Sequence, residues 1–192
     1  MKKTKLTEKD YNLFYKSMWY GNINDPIESA IRSAYRDLCR TIHGFSKNEY
    51  RSQIYDTAKN ILYSEIKMLL NANIRNQNDF DKWHEDCCEK MIVVFGEQTF
   101  YYGQAQKWIN MSLKYISMFE HKLIKRVYEY CHVPIDNYIL EALDYSFQVA
   151  WSRIDDYDEY LKFQQYFRNK YKGIPLDEEF KIWLKTARKV GE

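Results

Sequence analysis

Apolar residues recur along most of this chain at three- and four-residue intervals, the spacing that lays a stripe along one face of an α-helix. Leu13, Phe14 and Met18 follow Thr7-Glu8-Lys9-Asp10, a sequence able to cap a helix, and predict a first helix from Thr7 to about Tyr20, ended by Gly21. Asp25-Pro26 predicts a second start, because Asp caps and Pro at the first helical position loses no hydrogen bond. Ile27, Ala30, Ile31, Ala34, Tyr35 and Leu38 carry that helix toward Gly44. A third runs from Ser46 to about Asn71 on Ile54, Ala58, Ile61, Leu62, Ile66 and Leu69. The polar stretch 71–78 reads as a linker, and a fourth helix follows from Asp79 to near Val94, with Gly96 as its stop.

The fifth helix begins near Gly103 and reaches about Phe119, with Ala105, Trp108, Ile109, Ser112, Leu113 and Ile116 as its buried stripe. Residues 120–135 have a helical charge pattern closed by Pro134. Asp136 or Asn137 then caps a helix through Ala142 and Tyr145 toward Trp151. The acidic run Asp155 to Glu159 suits the positive end of a helix reaching Tyr171, and Leu176 to Val190 makes the last. No repeat or strand pair interrupts the pattern. The expectation is an all-α protein, one domain over 1–192 that divides at most into lobes 1–75 and 79–192 around a cleft.

Composition strengthens this picture. There are 18 Tyr, 10 Phe and 5 Trp against only 6 Gly and 3 Pro, so turns are few and bulky anchors many. At 192 residues the chain can bury roughly 70% of its unfolded surface and needs no disulfide or metal to fold. Cys39, Cys87, Cys88 and Cys131 have no framework spacing, Met1-Lys2-Lys3-Thr4-Lys5 leads into no hydrophobic signal region, and no apolar run approaches the ~20 residues of a membrane span. A cytoplasmic protein with free thiols is expected. The net charge of +2 does not announce a nucleic-acid binder, yet residues 103–126 carry +4 and residues 135–160 carry −6.

Lys107 stands at the junction of the basic segment and the fifth helix, and Asp136 opens the acidic segment. Gly103, Lys107 and Asn110 have the spacing Gly-x-x-x-Lys-x-x-Asn, and Val133-Pro134-Ile135-Asp136 follows ahead of another helix. Over about residues 100–145 this resembles the helix-hairpin-helix superfamily of DNA glycosylases. The Gln106-Lys107 pair and the long insertion before Asp136 are more similar to its archaeal 8-oxoguanine glycosylase branch. The resemblance implies base excision with DNA as partner and no cofactor. Lys107 would attack the anomeric carbon of deoxyribose to give a Schiff base, and Asp136 would assist at the sugar cation. Gly103, Gln104, Gln106 and Asn110 would serve as nucleic-acid-binding or helix-packing residues. A lysine is a weak nucleophile while protonated; burial disfavours the charged form, whereas a neighbouring carboxylate favours it. In place of a Gly-rich hairpin the chain has Phe100-Tyr101-Tyr102-Gly103-Gln104-Ala105, and the four-cysteine cluster of the iron–sulfur subclass is absent. Tyr101, Tyr102, Trp108 and Trp151 are aromatics close to the motif, none of them assigned to a base.

Other constellations compete. Arg36 and His43 fit the Arg-x6-His pattern that resembles HEPN-type ribonucleases, where both would act at the scissile phosphate. His84 and Cys88 lie one helical turn apart, with Cys131-His132 far downstream; a metal site would need the two pairs together, and adjacent Cys87 and Cys88 are not expected to face inward together, so no metal is expected. The run 155–159 lacks the glycine turn of a calcium loop. Lys181, Lys185, Arg188 and Lys189 share helical spacing and suit either phosphate or solvent. A helical interaction protein, with Lys107 and Asp136 as a structural pair and a Tyr-rich surface for a protein partner, is the non-enzymatic alternative.

Overall fold

The computed structural model describes residues 5–96 and 100–189, all of whose regular structure is helical. Helix α1 (Glu8–Tyr20) starts on a reciprocal capping box, the Thr7 hydroxyl accepting from Asp10 N and the Asp10 carboxylate accepting from Thr7 N at 2.7 Å. Asp25 caps α2 (Pro26–Leu38) through the Glu28 amide at 3.0 Å. Past Leu38 the chain tightens into 3-10 turns at Cys39–Thr41 and Phe45–Lys47 instead of extending α2. Gly44, at φ 77°, turns it in a conformation that a side chain would resist. Helix α3 (Arg51–Asn71) therefore starts later than Ser46, and α4 (Gln77–Phe95), capped by Asn76, starts earlier than Asp79.

Helix α5 (Tyr102–Ile124) is broken near its end at Glu120, which has non-helical φ and ψ. After it the expected helical continuation reduces to a 3-10 turn at Tyr128–Tyr130 and an extended stretch. Helix α6 (Asn137–Leu143) stops at Asp144, which adopts a left-handed conformation at φ 52°, so the expected run toward Trp151 is absent. Helices α7 (Tyr157–Lys170), capped by Asp156, and α8 (Pro175–Lys189) complete the chain. No described helix is long and apolar enough to cross a membrane.

The organising feature is α5. Every residue from Gly103 to Lys114 is buried, because α2 lies along it, α4 and α7 pack beside it and the 151–154 turn closes its first turn. Gly103 has a steric reason to be glycine: a Cβ there would lie 1.8 Å from the Trp151 carbonyl oxygen. The Gly103 amide donates to the Ile154 carbonyl at 3.0 Å. Trp108 stacks parallel to Tyr55 with ring centres 5.9 Å apart and donates its indole N–H to the Ile31 carbonyl at 2.9 Å. Trp108 and Trp151 are thus core residues that tie α5 to its neighbours. Cys87 and Cys88 are both fully buried, contrary to expectation, because α4 packs against both α3 and α5 and hides more than one face.

Helix α1 is the exception to the burial pattern. Its predicted stripe of Leu13, Phe14 and Met18 is exposed, as are Tyr15 and Trp19.

Candidate functional site

A helical stretch buried on all sides, as residues 103–114 of α5 are, must satisfy its polar side chains inside the protein. The buried polar side chains of α5 are Gln104, Gln106, Lys107, Asn110, Ser112, Lys114 and Ser117. Residues 106, 107, 110 and 114 fall on one face and meet the extended segment 131–136 together with α7 and α8.

Lys107 Nζ donates to Asp136 Oδ2 at 2.7 Å, bringing together two residues 29 apart in sequence. The lysine side chain is 5% exposed and the aspartate 23%, so the carboxylate stands between the amine and solvent. Asp136 has a second duty, since its Oδ1 accepts from Ile139 N at 3.0 Å and caps α6. Two turns further along α5, Lys114 Nζ donates to Glu179 Oε1 at 2.8 Å. Its contact with Glu179 Oε2 at 2.6 Å lacks hydrogen-bond geometry. Burial pushes the Glu179 carboxyl above its usual range, against the pull of Lys114 and, more weakly, of Lys107. The two pairs are close enough to form one electrostatic group.

Beside them lies a buried hydrogen-bond network. Burial lowers both His84, with the nearby His132 adding to the effect, and His132 itself, where a bond to Asp81 opposes it; both rings are therefore neutral at pH 7. The tautomer of each neutral ring follows from a partner that can only accept, the Asp81 carboxylate for His132 and Asn110 Oδ1 for His84. His132 donates through Nε2 to Asp81 Oδ1 at 2.8 Å and accepts at Nδ1 from the Tyr160 hydroxyl at 2.7 Å. Tyr160 in turn accepts from Asn110 Nδ2 at 3.0 Å, and Asn110 Oδ1 accepts from His84 Nε2 at 3.1 Å. Burial opposes charge on Asp81 as well, yet bonds from His132 and Gln77 hold its carboxyl below the usual value. Burial raises the Tyr157 and Tyr160 hydroxyls and the Cys88 and Cys131 thiols, which stay protonated.

The residues expected to meet nucleic acid have internal partners instead. Gln104 accepts from the Tyr101 amide at 3.0 Å and donates to the Thr41 carbonyl at 2.7 Å. Gln106 accepts from Ile135 N at 3.2 Å and donates to the Gly103 carbonyl at 2.9 Å. Asn110 bridges Gln106 and Tyr160. From α7, Gln164 holds both backbone groups of Val133 at 2.9 Å. These amides satisfy the backbone of an extended segment that would otherwise be buried without partners. Lys114, Glu179, Tyr160, Asp81 and Gln164 had no place among the sequence candidates; only Lys114, seven residues from Lys107, carried a positional signal.

The alternatives are not brought together. Arg36 lines a cavity between α1, α2, α5 and α8, whereas the exposed His43 lines a different one beside Tyr35, Arg40 and Phe45. His84 and His132 do meet, with ring centres 4.9 Å apart, and Cys88 Sγ lies 3.7 Å from His84 Nδ1. All four imidazole nitrogens are nevertheless engaged, by Asp81, Tyr160, Asn110 and the Tyr157 hydroxyl, and no group of metal-ligating side chains occurs among the described residues. Lys181 pairs with Glu178 at 2.6 Å on the surface, and the side chains of Arg188 and Lys189 lie outside the described residues.

Fold and site together define an all-α protein built around a buried helix that carries two lysine–carboxylate pairs. No protein-family model, curated relative or solved structure matches the chain.

Proposed function

We propose that the chain is a lysine-dependent DNA glycosylase and lyase, with Lys107 as nucleophile and Asp136 assisting at the sugar cation. The observation that carries this reading is the 2.7 Å contact between Lys107 Nζ and the half-open Asp136 carboxylate. The neighbouring carboxylate favours the charged amine, so the lysine must shed its proton before it can attack. The nitrogen then bonds to the anomeric carbon as the bond from that carbon to the base breaks, and the base leaves with a proton. Ring opening gives the Schiff base. Approach of a sugar requires the Asp136 side chain, and the short helix it caps, to move aside from the amine. DNA is the partner in this reading, no cofactor is required, and a cytoplasmic setting keeps the four thiols reduced.

A second reading has its own support. Lys107 is nearly closed to solvent and Gln104, Gln106 and Asn110 are saturated internally, as in a non-enzymatic helical scaffold held by Lys107 and Asp136. One experiment separates the two. Duplexes carrying a panel of damaged or modified bases are incubated with the protein and borohydride, which reduces a lysine–sugar Schiff base to a permanent crosslink. The enzyme reading expects a crosslink that disappears in Lys107→Ala while the variant keeps its helical circular dichroism. Absence of a crosslink with every base would reject the lysine mechanism for those substrates and favour the scaffold.

A further inference from the structure

Along the later part of α5, a groove of about 850 Å³ opens between α1, α2, α5 and α8. Its volume is that of a small-ligand site. Two kinds of side chain dominate its walls. Tyr15 and Trp19 of α1 and Phe180 and Trp183 of α8 supply aromatic faces, and Lys16, Arg36 and Lys114 supply positive charge against the single carboxylate of Asp37.

The two exposed indoles are the first anomaly. Trp19 is 74% and Trp183 46% exposed, although tryptophans are among the residues most favoured by burial. The second is the state of the cations. Lys114 is neutralised by Glu179, and Lys16 is engaged with the Phe119 carbonyl. Arg36 is held only by neutral groups, its Nη2 donating to the Trp19 carbonyl at 3.0 Å and to Ser33 Oγ at 2.9 Å. No carboxylate among the described residues lies within ion-pair distance of it. Asp37 is occupied by the Tyr115 hydroxyl at 2.7 Å. An exposed guanidinium, fixed by two neutral acceptors next to an exposed indole, presents its remaining donors to an anion joined to a planar aromatic group.

We infer that this groove binds a nucleotide unit, the base stacking on the aromatic walls from Trp19 and Trp183 and the phosphate paired with Arg36. Such pairing of aromatic platforms with cations is the chemistry by which proteins hold single nucleic-acid strands and free nucleotides alike. Neither Lys107 nor Asp136 lines the groove, so the inference stands apart from the lysine mechanism.

The test is quenching of tryptophan fluorescence in the full chain, titrated with adenosine 5′-monophosphate, adenosine and a short oligothymidylate. The expected result is saturable quenching by a phosphate-bearing ligand, with affinity about tenfold lower in Arg36→Ala. Because Arg36 also bonds the end of α1, Trp183→Ala on α8 provides a variant that leaves that contact intact, and it too should weaken binding. Saturation by the mononucleotide assigns a free nucleotide as ligand; saturation by the oligonucleotide alone assigns a single strand. The inference is overturned if no ligand quenches at millimolar concentration, if adenosine binds as well as its phosphate, or if both variants bind like the parent.

Discussion

Lys107–Asp136 and Lys114–Glu179 are two ion pairs on one helix, seven residues apart, and they have opposite relations to solvent. The second is sealed on both sides, with side chains 7% and 2% exposed. The first is sealed only on the lysine side, and its carboxylate also caps a helix. Helical spacing puts both lysines on one face of α5. Their surroundings differ because the Asp136 carboxylate keeps access to water, whereas Glu179 has almost none. A buried pair is in any case weak support for stability, since removing two charges from water offsets much of their attraction.

The largest consequence is an asymmetry between truncations. Lys114→Ala strands Glu179 in a dry site and should cost about 3–5 kcal/mol in urea unfolding. Lys107→Ala leaves Asp136 partly hydrated and still capping α6, and should cost only about 1–3 kcal/mol. Equal losses would erase the distinction between the two pairs.

The neutral histidine network beside the first pair gives the next effect. His84 and His132 are lowered from the ordinary value of 6.5, so below that pH the unfolded chain takes up protons that the fold refuses. Their favourable contribution is therefore complete above pH 6.5 and is lost as the pH falls. Stability should fall between pH 7 and pH 5.5, with His84 contributing more than His132, whose ring the Asp81 carboxylate helps to charge. A flat profile would mean that the rings take up protons in the fold as readily as in the unfolded chain. Replacing either histidine by glutamine should flatten the slope in proportion.

The smallest effect separates the two duties of Asp136. Asp136→Asn keeps an oxygen for the Ile139 amide but loses the ion pair, whereas Asp136→Ala loses both. The two variants should differ by about 1 kcal/mol, the usual worth of an N-cap. If they melt together, the cap contributes nothing and Asp136 is held by Lys107 alone.

Much of the helical order was legible in the chain because its signals are local. Thr7-Glu8-Lys9-Asp10, Asp25-Pro26 and Asp136-Asn137 each place a side-chain acceptor where free backbone amides need one, and helices start there. Helix ends were less legible. Helix α2 stops at Leu38 and α6 at Leu143, although the apolar spacing continues, because 3-10 turns and the left-handed Asp144 answer to packing of the following chain. Lys107 and Asp136, singled out together in the sequence, do meet, across 29 residues of chain. The internal engagement of Gln104, Gln106 and Asn110 was not legible, since their partners at Thr41, Ile135 and Tyr160 are distant in sequence.

By itself the sequence determined that the chain is helical, that α5 is its apolar centre and that Lys107 and Asp136 stand at the starts of successive α-helices, because periodicity and capping act over a few residues. Only the tertiary structure decided which lysine keeps a carboxylate open to water, that Gly103 faces the backbone at Trp151, and that Trp19 and Trp183 share a groove with Arg36. Those outcomes depend on which helix lies across which, and burial and charge neutralisation are set by that arrangement.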